Sequence, residues 1–378
     1  MRREHATDLT LPAPTGHFAV GRATYAWVND AQRDELAPSP GAKREVLVWI
    51  WYPSAGSQPA TPAEYLPAPW RAALARSSGV LMSQILTRDP SMVHGHSSSD
   101  SGISLEQRSY PVVIMRAGGG ALTTDFTTLA EDLASHGYVV VGFDAPYRTA
   151  VVVLPDGRVV ERAPANNPET LSADEQDRLI KKLLLIWSGD TQFVVDQLGR
   201  LNAADPAGKF TGRLDMQRLG MFGHSFGGAT ALQFCHDDPR CKAGIDIDGD
   251  PFGGAVGEGI TQPFFFLLSD HGDLSAPDTR EVFAKIQSIY DRLPNGRLLL
   301  TIPRTNHFSF SDQILLKSHY VIRLLELFHG GPDARRGLTI TTAYVHTFFD
   351  VYLKNGSPSL LDNLRQACPE VQIPVPKP

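Results

Sequence analysis

Leu219-Gly-Met-Phe-Gly223-His224-Ser225-Phe226-Gly227-Gly228-Ala229 reads as a short apolar strand, a tight turn and a small-residue helix in one continuous stretch. It satisfies G-x-S-x-G in the strand, turn, helix context that this motif requires. A residue at the tip of such a turn sits in a strained backbone conformation. Gly223 and Gly227 are therefore read as positions where strand and helix approach too closely for a side chain. Ser225 is lifted above the carboxyl edge of a sheet, with the positive end of a helix beneath it.

Working outward from this turn, strand and helix patterns alternate. Residues 45–53 (EVLVWIWYP) read as a strand with one exposed face, and 111–115 (PVVIM) as a buried one. A helix over 123–136 carries Phe126, Leu129, Ala130, Leu133 and Ala134 on one stripe, and 138–143 is the next buried strand. Ser172-Ala-Asp-Glu175 is a capping box that opens a helix to about Leu201, with Leu179, Leu183, Leu184, Trp187, Val194, Val195 and Leu198 inward. Beyond the turn come strands at 243–248, 263–269 and 298–302, and a helix near 279–292. The fold class is α/β, a mostly parallel central sheet with helices on both faces. No repeat or linker divides the 378 residues, so a single domain over 1–378 is expected. Within it, 55–109 is an insertion. Trp70, Leu74, Leu81, Met82, Ile85 and Leu86 recur there at helical spacing, either as a cap over a substrate or as a helix closing the sheet edge.

Composition excludes other classes. The chain is 42% hydrophobic and 20% charged with a net charge of −6, so it has material for a large core and no basic excess to condense on nucleic acid. The longest apolar runs are strand-sized, and no transmembrane segment is read. No apolar region follows Met1-Arg2-Arg3-Glu4-His5, so no secretory signal is read there, and compartment and oligomeric state are left unassigned. Cys235, Cys241 and Cys368 lack metal-ligand spacing. Cys235 and Cys241 flank a helix-to-strand turn, where either a local disulfide or two buried thiols would fit. His94-Gly-His96 in a Ser-rich loop reads as solvated, and Asp246, Asp248 and Asp250 lack the bidentate glutamate of a calcium loop, since Gly257 stands at the twelfth position. No metal and no cofactor are assigned. The glycine run at 118–120 is not followed by the acidic residue of a dinucleotide site.

A serine hydroxyl is a weak nucleophile, and an imidazole suits the task of taking its proton. Chain order in this fold leaves His236, His271, His307, His319, His329 and His346 as candidates. His307 follows the last strand in a loop that can swing over the sheet edge, and His271 is its rival. For the acid that orients the imidazole, two loops compete: Asp246, Asp248 and Asp250 after one strand, Asp270 and Asp273 after the next, the later loop being the commoner position. Backbone amides of Phe226 and of the loop Arg116-Ala-Gly-Gly-Gly120 are the candidate oxyanion donors. Phe226, Trp187 and Phe308 are the expected substrate contacts.

Gly223-His-Ser-Phe-Gly-Gly228, Lys242-Ala-Gly-Ile-Asp-Ile-Asp248-Gly, Asn306-His307-Phe-Ser-Phe-Ser-Asp312 and Asp132-Leu-Ala-Ser-His-Gly137 resemble the plasma-type platelet-activating-factor acetylhydrolases and their bacterial relatives. The likeness runs, with gaps, from about Pro14 to Thr341-Thr-Ala-Tyr-Val-His-Thr-Phe-Phe-Asp350. It implies an α/β-hydrolase with an inserted helical cap and a cofactor-independent serine ester hydrolase acting on short-acyl esters. By the same likeness Ser225 is the nucleophile, His307 the base, Asp248 the acid and Gly119 an oxyanion donor, where Ala117-Gly118 stands in place of the family's His-Gly. The chain is also similar to bacterial cutinases and polyesterases, which would place the acid at Asp273 and the substrate among polyesters. A non-catalytic binding protein on the same scaffold is the reading from a different class.

Overall fold

Runs of β-branched and aromatic residues that are apolar on both faces need cover on both faces, and the computed structural model gives them that. It describes residues 2–56, 61–81, 87–99, 101–272, 274, 277–318 and 334–374. In chain order the elements are α1 (Arg2–His5), β1 (Leu9–Thr10), β2 (Ala19–Arg33), β3 (Lys43–Ser54), β4 (Pro62–Glu64), α2 (Ala68–Leu81), β5 (Val93–Ser98), β6 (Tyr110–Arg116), α3 (Thr127–Ser135), β7 (Val139–Asp144), β8 (Val151–Val153), β9 (Val159–Glu161) and α4 (Ala173–Ala203). There follow β10 (Leu214–His224), α5 (Phe226–Asp237), β11 (Cys241–Ile247), α6 (Gly254–Glu258), β12 (Phe264–Leu268), α7 (Pro277–Arg292), β13 (Arg297–Thr301), α8 (Gln313–Leu316), α9 (Ala334–Leu353) and α10 (Ser359–Ala367).

The main sheet runs β1-β5-β2-β3-β7-β6-β10-β11-β12-β13. From β7 to β13 every pair is parallel, while β3 is antiparallel to both of its neighbours. This is the α/β-hydrolase arrangement. Alternate residues of β3 feed two separate cores: Leu47, Trp49 and Trp51 join one, and Val46, Val48, Ile50 and Tyr52 join the other. The expectation of a one-face-exposed strand at 45–53 is therefore corrected, since Val46 to Ser54 are buried without a break. The exposed face belongs to its neighbour β2, whose residues alternate half-buried and exposed from Ala23 to Asp30. Polar residues along β2 hid that strand from the sequence reading.

The insertion 55–109 supplies β4 and β5 to the sheet and α2 to one face, where Trp70 meets Trp49 edge to face at 5.5 Å. Met82, Ile85 and Leu86 of its expected apolar stripe lie outside the described residues. Cys235 and Cys241 are disulfide-bonded across the α5–β11 turn, and Cys368 is free and buried. Among the described residues no helix is long and apolar enough to cross a membrane.

Arg44 ties β3 to α4. Its guanidinium donates to both oxygens of Asp190, at 3.0 and 2.6 Å, and to Asp34 at 2.9 Å, with all three side chains almost wholly buried. Removing one partner of a buried ion network leaves charge without compensation. Arg44→Ala is expected to destabilise the protein by about 3 to 5 kcal/mol, read as a lowered denaturation midpoint in urea with the m-value unchanged.

Candidate active site

The elbow between β10 and α5 has the strained geometry that its sequence demands. Ser225 sits at φ 57° and ψ −126°, and a Cβ on Gly223 would stand 2.0 Å from the Gly227 carbonyl oxygen. Only glycine permits that approach. The Ser225 N–H donates to the Ile247 carbonyl at 2.8 Å, which fixes the turn against the end of β11. Phe226 begins α5, so its N–H is a first-turn donor with no acceptor inside the helix. The loop after β6 passes directly over the serine. A Cβ on Gly118 would lie 3.0 Å from Ser225 Cβ, while Gly119, one residue on, faces the end of Arg148.

His307 follows β13 and turns back over the sheet edge. Its Nδ1–H donates to Asp248 Oδ2 at 2.7 Å. The loop is pinned from two sides. Asp270 accepts from the Arg304 N–H at 2.8 Å, and the Asp312 N–H donates to the Asp125 carbonyl at 2.7 Å. Asp248, itself at positive φ just past β11, is fully buried as a side chain and accepts four hydrogen bonds. Oδ1 takes the Ser269 N–H at 2.8 Å and His271 Nε2 at 2.9 Å; Oδ2 takes the Ser269 hydroxyl at 2.9 Å and His307. Burial alone would raise this carboxyl, but the hydrogen bonds and charges of His271 and His307 outweigh it and hold Asp248 well below the usual carboxylate range. In return, the hydrogen bond to Asp248 raises His271, against the opposing effect of burial.

The competing aspartates are spent elsewhere. Asp246 is buried against the Gly249 N–H, and burial pushes its carboxyl well up. Asp250 pairs with Lys285 at 3.4 Å, and Asp270 accepts from Arg304 and Gly272. Asp273, like His319 and His329, lies outside the described residues. His236 binds Asp237 and Glu258, and His346 binds Asp132, each away from Ser225. The rival base His271 thus shares one carboxylate with His307, an arrangement that no local pattern in the sequence signals.

Nor does the sequence signal the part played by His224, the variable residue of the motif. Its Nε2–H donates to the His307 carbonyl at 2.7 Å, and the two rings lie 4.3 Å apart. Burial, then the neighbouring His307, pushes its imidazole down to about 3, so it is neutral and serves to hold the loop.

Ser225, Asp248, His271 and His307 line one cavity of about 290 Å³. Its apolar wall comes from Leu268, Leu274 and the Val282, Phe283 and Ile286 face of α7. Among the described residues Phe226, Trp187 and Phe308 do not line it. Trp187 is buried, with Phe226 edge-on at 4.9 Å and the Arg116 guanidinium 4.2 Å over its ring, and Phe308 lies under Lys317. The aromatic residues next to the motif are thus engaged with one another or with cations, and a helix 50 to 60 residues further along the chain makes the wall.

The sequence model of the family described as "Platelet-activating factor acetylhydrolase, isoform II" matches residues 4–155 and 165–358. The probable 1-alkyl-2-acetylglycerophosphocholine esterase of Arthroderma benhamiae is 26% identical over 284 residues, covering 70% of this chain and 66% of that protein. The platelet-activating factor acetylhydrolase of Cavia porcellus is 26% identical over 270 residues, covering 65% of this chain and 58% of that one. The match thus spans less than two thirds of either relative. Among solved structures, a ferulic acid esterase from Streptomyces cinnamoneus superposes with a TM-score of 0.77 at 26% identity, covering 96% of this chain and 98% of its own.

Proposed function

Since the chain belongs to the platelet-activating factor acetylhydrolase isoform II family, we propose that it is a serine carboxylic ester hydrolase that cleaves small, short-acyl esters through Ser225, His307 and Asp248. The observation that carries this reading is the Asp248–His307 hydrogen bond of 2.7 Å at the rim of a cavity that Ser225 also lines. Ser225 Oγ attacks the ester carbonyl as His307 Nε2 takes its proton. The imidazolium, stabilised by Asp248, then protonates the leaving alkoxide, and water repeats the cycle on the acyl-enzyme. The N–H groups of Gly119 and Phe226 stabilise the oxyanion, each donor worth about 3 to 4 kcal/mol.

Cavity size supports the short-acyl choice. About 290 Å³ lies at the small end of the range that ligand sites occupy, roughly 300 to 1,000 Å³. Such a space takes a short acyl chain against the apolar face of α7 and leaves the alcohol outside. A second cavity, of about 180 Å³, lies between Tyr65, Leu66 and Leu74 of the insertion and Gly120 and Leu122 of the oxyanion loop, which supports a capping role for 55–109 on that flank. On a series of p-nitrophenyl esters, kcat/KM is expected to fall at least about tenfold between butanoate and decanoate, as added methylenes outgrow the wall. A flat profile, or preferential release of acid from a polyester film, would instead support the cutinase-like reading.

A further inference from the structure

Far from Ser225, three segments meet at the opposite edge of the sheet. α3 starts beside the oxyanion loop and ends just before β7, so His136 and Gly137 lie at the edge where the parallel strands begin. There Asp132 of α3's last turn and His136 just past its end face His346 of α9, with Thr15 from the loop before β2. One ligand atom from each of Asp132, His136 and His346 lies within 4.8 Å of the others. Asp132 Oδ2 is 2.8 Å from His346 Nδ1 and 3.9 Å from His136 Nε2. The two imidazoles are stacked, with centroids 4.1 Å apart and 20° between planes.

We propose that Asp132, His136 and His346 form a structural binding site for a divalent transition-metal ion, Zn²⁺ being the best match. A tetrahedral ion with bonds of about 2.0 to 2.1 Å places its donors about 3.3 Å apart, a value that the 2.8 and 3.9 Å separations bracket. The ion must lie in the plane of each ring, and the planes of two rings stacked 20° apart do not meet nearby, so binding needs one imidazole to swing out of the stack toward Asp132 Oδ2. Two nitrogens and one carboxylate oxygen suit zinc, whereas calcium and magnesium take oxygen-rich shells. The outer shell is already built. Thr15 donates from its N–H at 2.8 Å and its hydroxyl at 2.7 Å to Asp132 Oδ1, which leaves Oδ2 facing the rings. Because the Thr15 hydroxyl proton is committed to Asp132, His136 Nε2 donates to Thr15 Oγ1 at 2.8 Å.

Binding therefore needs His346 to vacate Nδ1 and His136 to vacate Nε2. A neutral imidazole does so by moving its proton through solvent to the other ring nitrogen, so no net proton is lost. The nearby Lys354 ammonium is engaged by Asp350 at 2.9 Å and by the His136 carbonyl at 2.6 Å. Both rings keep partial exposure, 22% for His136 and 16% for His346, which leaves a route for the ion and a fourth ligand position for water. Loaded, the site would clamp α9 and the Thr15 loop onto α3 without touching the reaction edge.

The test uses the full chain after chelator treatment and dialysis. Zn²⁺ should bind one to one by calorimetry and raise the melting temperature, and Co²⁺ should give the intense visible bands of a tetrahedral site. His136→Gln and His346→Gln, checked for native far-UV circular dichroism, should each weaken binding at least about tenfold. Ester hydrolysis by the wild type should be unchanged by chelator. Absence of one-to-one binding at 100 μM Zn²⁺ would overturn the proposal, as would undiminished binding and Co²⁺ bands in both glutamine variants, which would place the ion elsewhere. Should a variant misfold, the wild-type Co²⁺ spectrum decides: weak octahedral bands reject the site and intense tetrahedral bands support it.

Discussion

Ser225→Ala is expected to lower kcat/KM for p-nitrophenyl acetate by at least about 10⁴-fold, equivalent to about 5.4 kcal/mol of transition-state stabilisation. The loss is large because the proposed reaction has no substitute for the hydroxyl. The neighbouring imidazole of His224 is buried and has its Nε2–H bound to the His307 carbonyl. The turn itself should survive. Alanine at φ 57° is strained no more than serine is, and the Ser225 side chain caps no helix N–H. The melting temperature should therefore stay close to that of the wild type. A fluorophosphonate probe should label the wild type at one residue and leave the alanine protein unlabelled. Turnover by Ser225→Ala at wild-type rate would overturn Ser225 as the nucleophile, and an unlabelled wild type would support the non-catalytic binding reading.

Asp248→Asn is expected to lower kcat by about 10³ to 10⁴-fold with little change in KM. Asparagine keeps an acceptor for the Ser269 N–H, but it can present an amide N–H to His307 Nδ1 and select the wrong imidazole tautomer. The imidazolium also loses its counter-charge. Asp273→Asn, the change that a cutinase-like arrangement makes critical, should leave kcat within about threefold. A collapse there with Asp248→Asn nearly unaffected would move the acid to the later loop. His271→Gln tests the shared carboxylate. It retains a donor to Asp248 Oδ1 but removes a second imidazole whose protonation the carboxylate favours. Because Asp248 still accepts from His307 and Ser269, kcat should fall only a few-fold, far less than in Asp248→Asn.

The parts of this site that were legible in the sequence are those set by local sterics. Gly223 and Gly227 mark the elbow because a Cβ at either would collide with backbone: Gly227 facing Gly223, and Arg116 facing Gly227. The capping box at Ser172 and Glu175 opens α4 as read. The parallel run from β6 to β13 in the sheet follows from apolar strand segments separated by helical crossovers. β2 escaped notice because a strand at the sheet's outer side buries only alternate residues, and its Arg22, Asn29 and Asp30 mask the period.

By itself the sequence determined that a serine stands on a strained turn at the sheet edge, and that a histidine and several aspartates follow it in an order that hydrolysis can use. Likeness to known families left the acid at Asp248 or Asp273; the tertiary structure sets Asp248 against the imidazole, and it alone showed that His271 claims the other oxygen and that α7 rather than Phe226, Trp187 or Phe308 makes the apolar wall. The physical reason is range. A turn's backbone strain is settled within five residues, whereas Asp248 and His307 are 59 apart and meet only because strand order brings two loops to the same rim.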